Sequence, residues 1–245
     1  MTRVSVDIAS KDFVAQDGST LSVIGDVRFQ VKSGEFVCLF GPSGTGKTTL
    51  LNVIAGIDRE FKGQIGIEGT PRLGYVFQEP RLLPWLTVRQ NIELVVSDSP
   101  DLAADVDELL RVVGLSEFAD TYPERLSLGM ARRVAIARAF VVRPDILLLD
   151  EPFVSLDAEN TARLRALLGD LWLSRPTTTL FVTHDMRDAV ELADRILFFS
   201  PRPAKLVREV TIDLPRPRTN MNQEIEALAR ELSIACAPPL AAKPA

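Results

Sequence analysis

The sequence predicts an α/β fold with a mainly parallel sheet and a helical insertion, and three observations carry that prediction. A buried apolar strand, Phe36–Phe40, runs into a glycine-rich loop and then into a helical stretch from Lys47 to Ala55. A second continuous apolar run, Ile146-Leu147-Leu148-Leu149, has the character of a strand covered on both faces. Between the two, from about Glu79 to Val142, the pattern is helical, and beyond them strand and helix alternate.

In chain order, the first forty residues read as strands and tight turns. Val4-Val6-Ile8, Leu21-Val23 and Val27-Phe29-Val31 alternate, and Gln16-Asp17-Gly18-Ser19 has turn chemistry. Gly56 can close the helix that begins at Lys47. In the helical stretch, Thr87-Val88-Arg89-Gln90 is a capping-box pattern. Pro100 fits the first turn of a second helix, which Gly114 can end. Ser127 opens a third, and Pro144 forbids its continuation. Ala158–Trp172 is then helical, Thr178–Thr183 β-rich, Asp185–Leu192 helical and Arg195–Phe199 a strand. Leu214-Pro215-Arg216-Pro217 is a break, and Ala237–Ala245 reads as a loose tail. The expected division is one domain over 1–214, with a helical subdomain at about 79–142, and a C-terminal helix and tail over 215–245.

With 46% hydrophobic and 25% charged residues the composition is that of an ordinary globular protein. A net charge of −5 argues against broad nucleic-acid binding, which leaves a basic footprint. Cys38 and Cys236 are far apart, and the single His excludes a Cys/His zinc site of the usual patterns. Cys38, within Phe36–Phe40, reads as a small core hydrophobe in a reducing compartment. No apolar run reaches the roughly 18–20 residues needed to cross a bilayer, and the strand-like start lacks the apolar core of a signal peptide. The expectation is a cytosolic protein that works at a membrane only by docking on something else.

The loop Gly41-Pro42-Ser43-Gly44-Thr45-Gly46-Lys47-Thr48 matches G-x-x-x-x-G-K-[ST] between a predicted strand and a predicted helix. Glycines let successive N–H groups point into one anion-sized hollow, and the helix N-terminus adds partial positive charge. Lys47 can reach the β- and γ-phosphates of ATP and the Thr48 hydroxyl can ligate Mg2+. Thr49 completes the set expected at the nucleotide. Asp150 and Glu151 follow the buried run 146–149. Strands often end in carboxylates as they reach solvent, but beside a phosphate loop the pair has a further reading. Asp150 would hold Mg2+, and Glu151 would orient or deprotonate the attacking water.

Five further features follow in a fixed order. Phe13 lies upstream of the loop, and Gln78 follows the β-rich run Leu73–Phe77. Leu126-Ser127-Leu128-Gly129-Met130 opens a helix, Ser155-Leu156-Asp157 follows the acidic pair, and His184 follows the strand 178–183. In this order and spacing the chain, to about Leu214, resembles the nucleotide-binding subunits of ABC transporters. The resemblance implies a P-loop NTPase core with an N-terminal antiparallel β subdomain and an inserted helical subdomain. It also implies that Phe13 stacks on adenine, although an aromatic near a turn is commonly core. Gln78 would touch Mg2+ or the attacking water. Ser127 and Gly129 would contact the γ-phosphate of ATP bound to a second copy of the chain, and Asp157 would work across the same interface. His184 would hold the γ-phosphate and the Glu151 side of the site, against the alternative of a polar group at a helix start.

The chain departs from the family pattern twice. Leu128 stands where the signature usually has the first of two glycines, which matters if the position needs a positive φ. Arg132 stands where many relatives have Gln and reads as a minor surface variation. The resemblance implies a homodimer sandwiching two ATP molecules, docked on membrane permease subunits at the cytoplasmic face and served indirectly by a solute-binding protein, with no nucleic acid. Glu79–Val88, with Trp85, would form the docking surface, although Trp85 could equally be core. With Ser200-Pro201-Arg202-Pro203 and Leu214–Arg218, that segment resembles importers of nitrate, sulfonates, taurine and similar small anions. The alternatives are soluble ATPases of the same family acting on DNA or ribosomes. No heptad run and no second cassette is present to support them.

Overall fold

The computed structural model describes residues 3–96, 102–218 and 220–235. The expected helix start at Pro100, Cys236 and the tail Ala237–Ala245 lie outside the described residues. In chain order the strands and helices are β1 (Val4–Val14), β2 (Thr20–Ile24), β3 (Val27–Val31), β4 (Phe36–Phe40), α1 (Lys47–Ile54), β5 (Lys62–Ile67) and β6 (Leu73–Val76). There follow α2 (Val88–Glu93), α3 (Leu102–Val112), α4 (Leu128–Val141), β7 (Ile146–Asp150) and α5 (Ala158–Ser174). The chain continues through β8 (Thr178–Thr183), α6 (Met186–Leu192), β9 (Arg195–Phe199), β10 (Leu206–Thr211) and α7 (Asn222–Ala235).

The chain divides into two compact units. The first is built mainly from residues 67–181. Its strands lie in the order β8, β7, β6, and β6 runs parallel to β7 with Leu73 opposite Ile146. Every residue of β7 is buried, as its unbroken apolar sequence requires of a strand covered on both faces. Gly74 in β6 lets the strand approach a helix closely: a Cβ there would stand 2.5 Å from the carbonyl oxygen of Ala139 in α4.

The helical part of this unit has its own core, with Val88, Ile92, Val106, Leu110, Val134 and Ala137 all buried together. Helix α2 starts where the capping-box pattern puts it. The Thr87 hydroxyl accepts from the Gln90 N–H at 3.3 Å, and the Gln90 side chain accepts from the Thr87 N–H at 2.9 Å. Asn91 is fully buried; its carboxamide accepts from the Leu83 N–H and donates to the Leu83, Leu86 and Thr87 carbonyls. That one amide fixes the segment carrying Trp85, which is 68% exposed and so is not a core residue.

The second unit holds residues 5–30, 36–66 and 182–235 of the described chain. One sheet has β1 between β2 and β3, with β5 also paired to β1, and β1 and β2 run antiparallel. A second ribbon runs β10, β9, β4: β4 and β9 are parallel, while β10 returns antiparallel on β9. Strands β5 and β10 have no counterpart in the sequence reading. Their residues are mostly exposed or half-buried, and two glycines interrupt β5, so neither shows an apolar period. Gly63 in β5 is obligatory all the same, since at φ 140° a Cβ would stand 2.2 Å from the Asp7 carbonyl oxygen.

After β10, Arg216 and Arg218 tie the proline-rich break to α6 and its end. Arg216 pairs with Asp194, and Arg218 donates to the carbonyls of Val190 at 2.7 Å and Ala193 at 2.6 Å.

Candidate functional site

In the second unit the loop from Gly41 to Thr48 wraps round its own lysine. Lys47 is 5% exposed, and its ammonium donates to the carbonyls of Gly41 and Pro42, both at 2.7 Å. Two glycines make the curl possible, Gly44 at φ 75° and Gly46 at φ 108°. Gly46 has no room for a side chain either: a Cβ would come within 2.6 Å of Val23 Cγ1. The Thr45 hydroxyl is buried with no hydrogen-bond partner among the described residues, and a phosphate oxygen is a group it can donate to. Helix α1 follows directly, so the loop leads into a helix N-terminus, whose partial positive charge favours an anion.

Arg202, from the expected Ser200-Pro201-Arg202-Pro203 segment, grips the loop from outside. Its guanidinium donates to the Gly44 carbonyl from Nε at 3.1 Å and Nη2 at 2.5 Å. A cavity of about 530 Å3 adjoins the loop, lined by Gly41, Pro42, His184, Phe198, Phe199 and others. Its walls are largely aromatic and aliphatic, which suits no triphosphate.

His184 follows β8 and is exposed. It is not the cap of α6. That is Asp185, whose carboxylate accepts from the N–H groups of Arg187 at 2.8 Å and Asp188 at 3.3 Å. Phe13 lies on β1 opposite Leu21 and is 43% exposed, so it is not a core aromatic. The Lys11 ammonium sits 4.4 Å from its ring centroid while bonded to Asp58 and the Glu60 carbonyl. Nothing in the sequence marked Lys11, whose burial reflects these partners rather than any motif.

In the first unit, Asp150 ends β7 at 2% exposure and Glu151 follows in a left-handed conformation, φ 44°. Nearby, burial raises the Tyr75 phenol far above its ordinary pKa, and the negative field of Asp150 adds to the effect. Gln78 is exposed just beyond β6. Ser127 is the N-cap of α4, its hydroxyl accepting from the Met130 N–H at 3.2 Å. Gly129 is buried against Asn160. The Asn160 amide in turn donates to Asp157, the N-cap of α5, from the main chain at 2.8 Å and the side chain at 2.6 Å. These bonds hold the Asp157 carboxyl below the usual carboxylate range, the main-chain one first. The unit therefore gathers Ser127, Gly129, Asp157 and Asn160 along the α4–α5 contact.

Both departures from the family pattern take a definite form. Leu128 is the first residue of α4 with the negative φ of an ordinary helical residue, so the position demands no glycine of this chain. Arg132 is not the surface variation expected: it is 4% exposed. Its Nη1 donates to the carbonyls of Glu151 at 3.3 Å and Pro152 at 2.7 Å, and its Nη2 to Val154 at 2.6 Å.

A profile of the ABC transporter family matches residues 24–154, more than half of the chain. The chain belongs to that family. It is 41% identical over 236 residues to an aliphatic sulfonates import ATP-binding protein of Bacillus cereus (strain ATCC 10987 / NRS 248), covering 94% of each chain. It is 40% identical over 237 residues to the protein of the same description from Bacillus subtilis (strain 168), covering 94% of this chain and 92% of that one. Among solved structures, a dimeric ATP-binding cassette in a post-hydrolysis state, bound to ADP and Pi, superposes with a TM-score of 0.76 at 29% identity. The match covers 86% of this chain and all of that one. ABC cassettes are ATPases that power transport, and this chain is one of them.

Proposed function

We propose that this ABC cassette energises an importer of aliphatic sulfonates or a similar small anion, such as nitrate or taurine, from the cytoplasmic face of the membrane. The likeness over nearly the full length to sulfonate-import ATP-binding proteins supports this most directly. Among the described residues no helix is long and apolar enough to cross a membrane, so the path for the solute would belong to separate permease subunits. Exposed Trp85, on the segment pinned by Asn91, suits a surface for such a partner. A solute-binding protein would supply the anion, and this subunit would not touch it.

In this reading the Lys47 ammonium leaves the Gly41 and Pro42 carbonyls for the β- and γ-phosphates, while loop N–H groups and Thr45, Thr48 and Thr49 close on the remaining oxygens. Pro42 and Ser43 shape the entrance, and Phe13 offers a ring face to adenine. Glu151 takes a proton from, or orients, the attacking water, with Gln78 and His184 positioning water and γ-phosphate. A buried carboxylate, a hydroxyl and a carboxamide are hard oxygen donors of the kind Mg2+ prefers, so Asp150, Thr48 and Gln78 fit it. When bound, Mg2+ would neutralise charge building on the phosphate oxygens. Two copies would enclose two ATP molecules, each facing Ser127, Gly129 and Asp157 of the other copy. The dimer of the solved cassette supports that arrangement.

The test is reconstitution. With its permease in proteoliposomes, the chain should hydrolyse ATP only with Mg2+ and import an alkanesulfonate at its expense. Hydrolysis without stimulation by any sulfonate, nitrate or taurine would remove the substrate assignment and leave the ATPase.

A further inference from the structure

Arg132 joins two segments that the family reading assigns to different ATP molecules. It lies one helical turn beyond Ser127 and Gly129 in α4, and its guanidinium reaches into the turn that follows β7. That turn is unusual in needing support. Glu151 and Ser155 both hold positive φ, 44° and 63°, without being glycine, a conformation that costs roughly 1 kcal/mol or more per residue. Its own hydrogen bonds are long, Val154 N–H to the Glu151 carbonyl at 3.3 Å and Leu156 N–H to the Phe153 carbonyl at 3.4 Å. Against these, Arg132 supplies bonds of 2.7 Å and 2.6 Å to Pro152 and Val154 and a third to Glu151 itself. The donor is charged, and charged donors make the stronger bonds.

We infer that Arg132 is a positioning residue for hydrolysis: through the main-chain carbonyls of Glu151, Pro152 and Val154 it fixes where the Glu151 carboxylate points. The assignment rests on the reading of Glu151 as the group that acts on the water. A Gln here would offer two N–H hydrogens on a neutral carboxamide, whereas the guanidinium offers five on a charged, rigid fork. Burial disfavours the charged form of this guanidinium, a cost that the three carbonyl dipoles offset. The same helix uses this chemistry elsewhere. Arg133 donates to the Val113 carbonyl, and Arg138 donates to those of Pro80 and Arg81, the segment just beyond Gln78. Helix α4 is thus tied by arginines to three loops, of which the catalytic turn is one.

Four forms of the full chain test it: wild type, Arg132→Met, Arg132→Gln and Arg132→Lys, each assayed for Mg-ATP hydrolysis, for binding of a fluorescent ATP analogue and for amide hydrogen exchange over residues 151–157. Arg132→Met should lower kcat about ten-fold or more, since small misplacement of a catalytic group is costly. KM and analogue affinity should change less than about two-fold, and amides at Val154 and Leu156 should exchange faster. Gln and Lys, retaining some donors, should fall between. A folded Met variant with wild-type kcat, or one whose losses appear in KM with unchanged exchange, overturns the role. Should the Met form fail to fold, normal kcat and exchange in either the Gln or the Lys form overturns it equally. Glu151→Gln run alongside separates the two ideas. If that variant hydrolyses ATP normally, the reading of Glu151 falls first. If it is inactive while Arg132→Met is not, only Arg132 is misassigned.

Discussion

The phosphate loop and the start of α4 both carry glycines that the family pattern expects, yet the two glycines answer to different demands. Gly46 is required by the chain itself: φ is 108° and Val23 stands where a Cβ would go. Gly129 has helical geometry, and its Cβ would meet Asn160 Oδ1 at 3.5 Å, an ordinary contact. Among the described residues nothing forbids a side chain there. If the position must stay small, the proposed contact with ATP on a second copy would be the reason. Loop and helix start thus separate what the fold needs from what the assembly needs.

The sharpest break between them comes from substitutions on the two sides of the chemistry. Glu151→Gln should cut turnover by about 100-fold or more while ATP binding persists, so that ATP traps a dimer visible by size-exclusion chromatography. Lys47→Ala should also abolish turnover, but through loss of binding, and should form no such dimer. Next comes Gly46→Ala, which strains the loop by about 1–2 kcal/mol before any clash is counted. A lower melting temperature and weakened analogue binding should appear together. Gly129→Ala should behave in the opposite way. Its melting temperature and analogue affinity should match wild type while hydrolysis falls several-fold, and an equal loss of affinity would show that the demand is internal after all. Smallest is Leu128→Gly. Because Leu128 has ordinary helical geometry, the change should lower stability by about 0.5 kcal/mol through helix propensity and alter hydrolysis less than about three-fold.

This contrast also explains how much could be read from the sequence. The loop was legible because its residue types are backbone requirements: glycines for positive φ, a lysine and a threonine at fixed offsets. The parallel strands were legible from unbroken apolar runs, and the helix-opening residues Thr87 and Ser127 from their place before helices. Arg132 was not. Its partners are main-chain carbonyls, which every residue possesses, so no spacing of side chains announces them. Asn91 escaped for the same reason, and Lys11 in part, since one of its two partners is the Glu60 carbonyl and the other the Asp58 carboxylate. Phe13, Trp85 and His184 each had a core or capping alternative that only their exposure in the fold or a capping bond could remove.

The glycine at position 74 reaches further than its size suggests. With no side chain between them, the main chains of β6 and α4 touch, and no rotamer is available there to absorb a displacement. Strand and helix are therefore held in main-chain contact, with Gln78 two residues beyond one end of the strand and Ser127 capping the far end of the helix.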